Sequence, residues 1–165
     1  MKKTLVLVRH GKPERGAAGQ EDAERALTPQ GRAALAAPDG FPRIFANLTA
    51  EERDGAQLWV SPALRTRQTA DEIERALGAL PRSEHGCLWE QDIDDFLAEV
   101  AASDAGCIVA VGHVPFMNIA LELLTGEHPG FTPGSVAAVS LPDGFDAARP
   151  DRTGRLLWFE PGPHA

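Results

Sequence analysis

The sequence predicts an α/β domain whose helices cover a largely parallel β-sheet. Three runs, 4–8 (TLVLV), 57–60 (QLWV) and 107–111 (CIVAV), are apolar nearly throughout, which is typical of strands buried on both faces. Helical stretches separate these runs, and this alternation favours parallel strands joined by right-handed crossovers. The chain has 165 residues, so we expect a single domain over residues 1–165.

The first predicted strand leads into a loop and a capped helix. Segment 12–26 is charged and rich in Gly and Ala, so we expect a surface loop or a lid there. Thr28 followed by Pro29 is typical of an N-cap and a first helical residue, which predicts a helix within 27–37.

The second predicted strand is followed by a longer helix within residues 61–78. Ser61 and Pro62 repeat the pattern of an N-cap followed by a first-turn proline, and Gly78 is expected to end the helix.

The C-terminal half predicts two more helices and two more strands. Residues 90–103 are amphipathic, and residues 114–126 are apolar on most sides, so the second helix should be well buried. The runs 135–141 and 155–159 are expected to be peripheral strands. The turn-rich segment 141–154 between them predicts an antiparallel hairpin with a long loop.

Composition excludes several classes of function. The formal net charge of −8 argues against a broad surface for nucleic acid or for an anionic membrane, because phosphates would be repelled. No apolar run is long enough for a membrane span or a secretory signal, so we expect a cytoplasmic protein. Cys87 and Cys107 lack metal-ligand spacing and are expected to be core thiols in a reducing compartment.

Basic residues follow three of the predicted strands. Arg9 and His10 come directly after the first strand, Arg65 lies one turn into the helix after the second, and His113 follows the third. Ligands of open α/β sheets bind at the carboxyl ends of parallel strands, so these four side chains are expected to converge. Any one of them alone would more often have a structural role, but their joint placement favours a binding site.

Two arginines and two histidines are suited to phosphoryl chemistry. Two guanidinium groups can hold a phosphoryl or carboxylate dianion, and helix N-termini favour the same anion. A neutral imidazole is a good nucleophile toward phosphorus. One histidine could therefore accept a phosphoryl group, while the other, protonated, would neutralise charge on its oxygens. These two roles predict that activity depends on two titrations near neutral pH.

Four segments resemble the histidine phosphatase superfamily, also called the phosphoglycerate mutase-like superfamily. In the family's order they are VLVRHG, LTPQGRAAL (27–35), VSPALRTRQTADEI (60–73) and IVAVGHVPFMN (108–118). The resemblance implies a three-layer α/β/α sandwich on a mixed, mostly parallel sheet. It also implies a phosphatase that works without a metal or other cofactor.

The resemblance assigns roles to the basic residues. It implies that His10 is the nucleophile that becomes phosphorylated, that Arg9 and Arg65 hold the phosphoryl oxygens, and that His113 completes the pocket. Gly11 and Lys12, which follow His10, are expected to contribute to phosphate binding.

The chain is most similar to the short, SixA-like branch, which acts on phosphohistidine in signalling proteins. It is short, His113 follows Arg65 by only 48 positions, and lysine follows RHG. A phosphohistidine protein is therefore the expected substrate. A small phosphate ester is the first alternative, and a non-catalytic phosphate-binding module is the second. We expect neither a nucleic acid nor a membrane as a partner.

An ester substrate would also require a proton donor for its alkoxide leaving group. Glu90, in the CLWEQD segment, is the candidate acid that the resemblance implies, and Asp92 is a near alternative. Both also fit the acidic first turn of a helix, where the helix dipole favours them without any catalytic role. Trp59, Trp89 and Trp158 are expected to be core or rim aromatics rather than substrate platforms.

Overall fold

A mixed sheet of six strands organises residues 2–163, the part of the chain that the computed structural model describes. Its strands are β1 (Lys3–Arg9), β2 (Ala56–Val60), β3 (Arg82–Glu84), β4 (Cys107–Gly112), β5 (Val136–Leu141) and β6 (Arg155–Glu160). They lie side by side in the order β3, β2, β4, β1, β5, β6. The first four of that order are mutually parallel, whereas β5 is antiparallel to both β1 and β6. The predicted mixed, mostly parallel sheet and the C-terminal hairpin are confirmed.

Helices cover both faces of this sheet, as the three-layer prediction requires. They are α1 (Pro29–Ala36), α2 (Phe41–Ile44), α3 (Ala50–Asp54), α4 (Leu64–Leu77), α5 (Gly86–Glu90), α6 (Ile93–Ala102) and α7 (Phe116–Thr125). No helix within residues 2–163 is both long and apolar enough to span a bilayer. Residues 1, 164 and 165 lie outside the described part, and the single domain over 1–165 stays a prediction.

The central strands supply a separate hydrophobic core to each face. In β1, Leu5 and Leu7 pack into the core under α5, α6 and α7, while Val6 and Val8 pack into the core under α1, α2 and α4. Successive side chains of a strand point to opposite faces. Because helices cover both faces of the sheet, all four side chains are fully buried. This two-sided burial explains the continuously apolar sequence of the strand.

The start of α4 differs from the sequence prediction. The helix begins at Leu64 with Ala63 as its N-cap, so Ser61 is not the cap. The buried Ser61 hydroxyl instead forms a 2.8 Å hydrogen bond with Nε2 of His113, and this long-range partner leaves no local pattern in the sequence. Thr28 does cap α1, accepting a 2.8 Å hydrogen bond from the Gly31 N–H.

Several short elements are not predicted from the sequence, because they are too short to show a periodic pattern. These are α2, α3, α5, β3 and two 3₁₀ turns, each of five residues or fewer. The helix predicted within 90–103 is confirmed for residues 93–102, with Asp92 as its N-cap. Glu90 belongs instead to the last position of α5, so the acidic first-turn interpretation does not apply to it.

The register of the parallel strands brings three chain exits to one edge of the sheet. Arg9 at the end of β1 pairs with Gly112 at the end of β4, and Val60 at the end of β2 pairs with Val111. The residues that follow these strands therefore leave the sheet side by side, as predicted.

Candidate active site

The backbone fixes His10 between neighbouring strand ends. Its N–H donates to the Gly112 carbonyl, and its own carbonyl accepts from the Gly134 N–H, both at 3.1 Å. His113 leaves the next strand, and the two imidazole centroids lie 5.4 Å apart. Both rings are buried, so the fold holds two histidines in contact in its interior.

His10 presents one free ring nitrogen. Nδ1 lies 2.6 Å from the Gly11 carbonyl oxygen, which can only accept, so Nδ1 carries the proton and Nε2 keeps its lone pair. Burial, and then the positive charges of His113, Arg65 and Arg9, lower the pKa of His10 to about 3 despite the Gly11 hydrogen bond. The imidazole is therefore neutral at pH 7 and suited to act as a nucleophile.

His113 is held by Ser61 and is also neutral at pH 7. Burial, followed by the positive charge of Arg65, lowers the pKa of His113 to about 4. Desolvation, which the sequence does not report, thus moves the titration of both rings below neutral pH in the free protein, and the dependence of activity on two titrations stays a prediction. A phosphoryl dianion would favour the protonated form of His113 and raise its pKa.

Arg9 contributes a guanidinium group with a donor to spare. One Nη donates to the Phe131 carbonyl at 2.8 Å, while the buried Nε has no hydrogen-bond partner among the described residues. Burial lowers the pKa of Arg9, yet an arginine stays charged at neutral pH. Because Arg9 also lines the pocket beside His10, its charged guanidinium group is suited to bind a phosphoryl oxygen.

Arg65 reaches the same pocket from the first turn of α4, where Asp22 meets it. Its two Nη atoms donate to the Asp22 carbonyl oxygen at 2.7 Å and to the Asp22 carboxylate at 3.1 Å. Asp22 begins a 3₁₀ turn, Asp22–Glu24, in the predicted loop or lid. Asp22 gives no signal in the sequence, because a charged residue in a loop rarely indicates a specific contact.

A cavity of about 590 Å³ opens above these groups. Its lining combines these four side chains with residues from the 12–26 loop, from α5, from the α5–α6 connection and from the α7 entry. The lining residues are Arg9, His10, Pro13, Asp22, Arg25, Arg65, Trp89, Gln91, His113 and Val114. The structure thus brings together Arg9, His10, Arg65 and His113.

The other predicted site residues lie outside this lining. Glu90 is exposed, and although Trp89 and Gln91 on either side of it line the pocket, Glu90 does not. Asp92 is occupied as the cap of α6, where its carboxylate accepts from the Asp95 N–H. Neither carboxyl group is positioned in the pocket as a proton donor.

Gly11 and Lys12 also turn away from the cavity. The Gly11 N–H donates to Thr69 Oγ1 at 3.0 Å, and a Cβ at this glycine would lie 2.9 Å from Leu35 Cδ1. The glycine therefore serves close packing, and its N–H is not free for a phosphate. Lys12 is exposed and does not line the pocket.

A family model identifies the origin of this arrangement. The model of the histidine phosphatase superfamily (branch 1) matches residues 5–98, more than half of the chain. The chain belongs to this superfamily. The matched segment includes Arg9, His10 and Arg65, while His113 lies beyond it. Membership makes the protein a histidine-type phosphatase, which favours an enzyme over a non-catalytic binding module.

Solved structures similar to this histidine phosphatase include three SixA proteins. A protein histidine phosphatase SixA complexed with tungstate has 24% identity and a TM-score of 0.76, and covers 98% of this chain and 97% of its own. Candidate phosphohistidine phosphatases SixA from Nakamurella multipartitia and Agrobacterium tumefaciens both have 26% identity. Their TM-scores are 0.78 and 0.72, and they cover 98% and 96% of this chain and 97% of their own chains.

These similarities confirm the predicted resemblance to short, SixA-like histidine phosphatases and the predicted fold class. No curated protein sequence matches the chain.

Proposed function

We propose that this histidine phosphatase removes the phosphoryl group from phosphohistidine in a protein substrate, through a covalent phosphohistidine on His10. The proposal rests on the chemistry of the pocket and on the kind of leaving group that this chemistry can serve.

His10 performs the first step. Its Nε2 lone pair forms an N–P bond as the P–N bond of the substrate breaks, and the electron pair of that bond passes to the departing ring nitrogen. When the other nitrogen of the substrate ring carries a proton, the imidazole leaves as a neutral molecule. A water molecule then attacks phosphorus, releases inorganic phosphate and returns the lone pair to His10.

The remaining basic residues stabilise charge on the phosphoryl group. Arg9 and Arg65 supply donors to its oxygens, and His113 adds a third once the dianion raises its pKa. Ser61 holds the His113 ring through the 2.8 Å contact with Nε2, so that ring needs no reorganisation during the reaction.

The main support for the proposal is the protonation state of the carboxyl group in the cavity lining. Asp22 is the one acidic residue in the cavity lining described above. Hydrogen bonds from Arg25 and then from Arg65 lower its pKa, so it is ionised at pH 7 and holds no proton to donate. An alkoxide leaving group needs such a proton, whereas a protonated phosphoimidazole does not. The pocket therefore fits a P–N substrate better than a phosphate ester.

The comparisons support the same substrate. The proteins from Nakamurella multipartitia and Agrobacterium tumefaciens, each 26% identical to this chain over nearly its full length, are candidate phosphohistidine phosphatases.

A substrate panel tests the proposal. We expect kcat/KM for a phosphohistidine peptide to exceed that for alkyl phosphate esters by about 100-fold or more, the usual contribution of a missing general acid. Glu90→Gln should leave both activities unchanged, with Glu84→Gln, another exposed glutamate, as the matched control. A preference for esters, with a loss in Glu90→Gln that is limited to esters, would instead identify a phosphomonoesterase with Glu90 as its acid.

A further inference from the structure

Trp89 is an exposed aromatic residue at the catalytic pocket. Three large apolar side chains within residues 2–163 are exposed, Trp89 (36%), Ile119 (50%) and Leu157 (39%), and of these only Trp89 lines the cavity. Ligand clefts are commonly lined by aromatic side chains beside a few polar groups. The indole therefore lies where the part of a substrate beyond its phosphoryl group would pass.

The fold holds this indole against two of the phosphate-binding residues. The Arg65 guanidinium carbon lies 5.8 Å from the Trp89 ring centroid, and the His113 centroid lies 5.5 Å from it with the rings 76° apart. The neighbouring Leu88 is fully buried and anchors α5 in the core. Trp89 is thus an oriented part of the pocket wall rather than a freely moving surface residue.

The wall that Trp89 forms suits a flat leaving group. Pro13 and Val114 are the other apolar members of the lining, and neither presents a flat aromatic ring. An aromatic side chain adds stacking or edge-to-face contact when a planar ring lies against it, while a non-planar group of similar polarity gains little.

We propose that Trp89 binds the imidazole ring of the substrate phosphohistidine and so selects phosphohistidine among P–N compounds. This inference rests on the proposed function. It names the residue that recognises the imidazole ring of the leaving group, whereas the other residues of the pocket act on the phosphoryl group and its P–N bond.

Two P–N substrates separate this role from a general effect on catalysis. Phosphohistidine peptide and inorganic phosphoramidate share the bond that breaks, but only the peptide carries an imidazole ring. We expect Trp89→Ala to lower kcat/KM for the peptide about tenfold, mainly by raising KM, and to change kcat/KM for phosphoramidate less than twofold. Trp89→Phe, which keeps an aromatic ring, should retain most of the activity on the peptide.

The control is Leu157→Ala, which removes a similarly exposed apolar side chain on β6, away from the pocket, and should leave both activities unchanged. Equal losses on both substrates in Trp89→Ala would overturn the inference, because they would show that Trp89 acts only through Arg65 or His113. Unchanged activity on the peptide would overturn it as well. A wild-type protein that hydrolyses phosphate esters but not the peptide would refute the proposed function, and the inference with it.

Discussion

The floor and the rim of the pocket are built by different means. We define the floor as Arg9, His10, Arg65 and His113, and the rim as Asp22, Arg25 and Trp89. The Arg65–Asp22 ion pair joins the two regions, and its side chains are 7% and 56% exposed, respectively. One end of the same interaction is therefore buried in the protein while the other is largely in water.

The difference follows from the elements that carry each region. His10 and His113 follow central strands whose backbone hydrogen bonds fix them, and Arg65 lies on a long helix packed against the sheet. Asp22 and Trp89 lie on a 3₁₀ turn and a five-residue helix. In the proposed function, the reaction therefore depends on the sheet edge, whereas substrate selection depends on short connecting elements that can vary without disturbing the core.

The largest effect is expected at the floor. Arg65→Lys should lower kcat/KM by about 100-fold or more, because an ammonium group cannot reproduce the planar set of donors on a guanidinium. Arg67→Lys, an exposed arginine on the same helix, is the control and should behave as wild type. A retained activity above about one third of wild type in Arg65→Lys would show that Arg65 does not hold the phosphoryl group.

Burial of the two floor histidines is expected to affect the pH at which their rings titrate. Because desolvation disfavours the charged imidazole, the pKa values of about 3 for His10 and about 4 for His113 predict that neither ring titrates between pH 5.5 and pH 8. Nuclear magnetic resonance of the imidazole groups measures this directly. Saturating inorganic phosphate should raise the pKa of His113, whereas a pKa near 6.5 in the free protein would contradict the desolvated floor.

A smaller effect is expected at the rim. Asp22→Asn removes the carboxylate that competes with a phosphoryl dianion for Arg65, so inorganic phosphate should bind about threefold more tightly. Isothermal titration calorimetry gives the affinity, and Glu24→Gln, an equal charge change in the same turn but outside the lining, is the control. Weaker binding in Asp22→Asn would mean that Asp22 orients Arg65 for the phosphate instead of competing with it.

The floor could be predicted from the sequence because it depends on strong patterns. Buried parallel strands are continuously apolar, and ligands bind where such strands end, so the placement of Arg9, His10 and His113 followed from position along the chain. The placement of Arg65 followed from the helix predicted after β2, because Arg65 lies one turn into that helix.

Which side chains of the rim face the pocket could not be predicted, because the elements that carry them are too short to show a period. Successive residues of a helix point about 100° apart, so Trp89 and Glu90 face different directions, and the sequence alone does not determine which one faces the pocket. Gln91 then adopts a left-handed conformation, with φ of 56°, and its side chain accepts a hydrogen bond from the Phe116 N–H at the start of α7. These are tertiary contacts, which leave no local signal.

Trapping the phosphorylated enzyme tests the role of His10 directly. Rapid mixing with a radiolabelled phosphohistidine peptide, followed by quenching in alkali, should trap a label that is stable to alkali, labile to acid and located on His10. His10→Ala should show neither this label nor turnover. Turnover that persists in His10→Ala, or a label on another residue, would show that the neutral Nε2 of His10 does not accept the phosphoryl group.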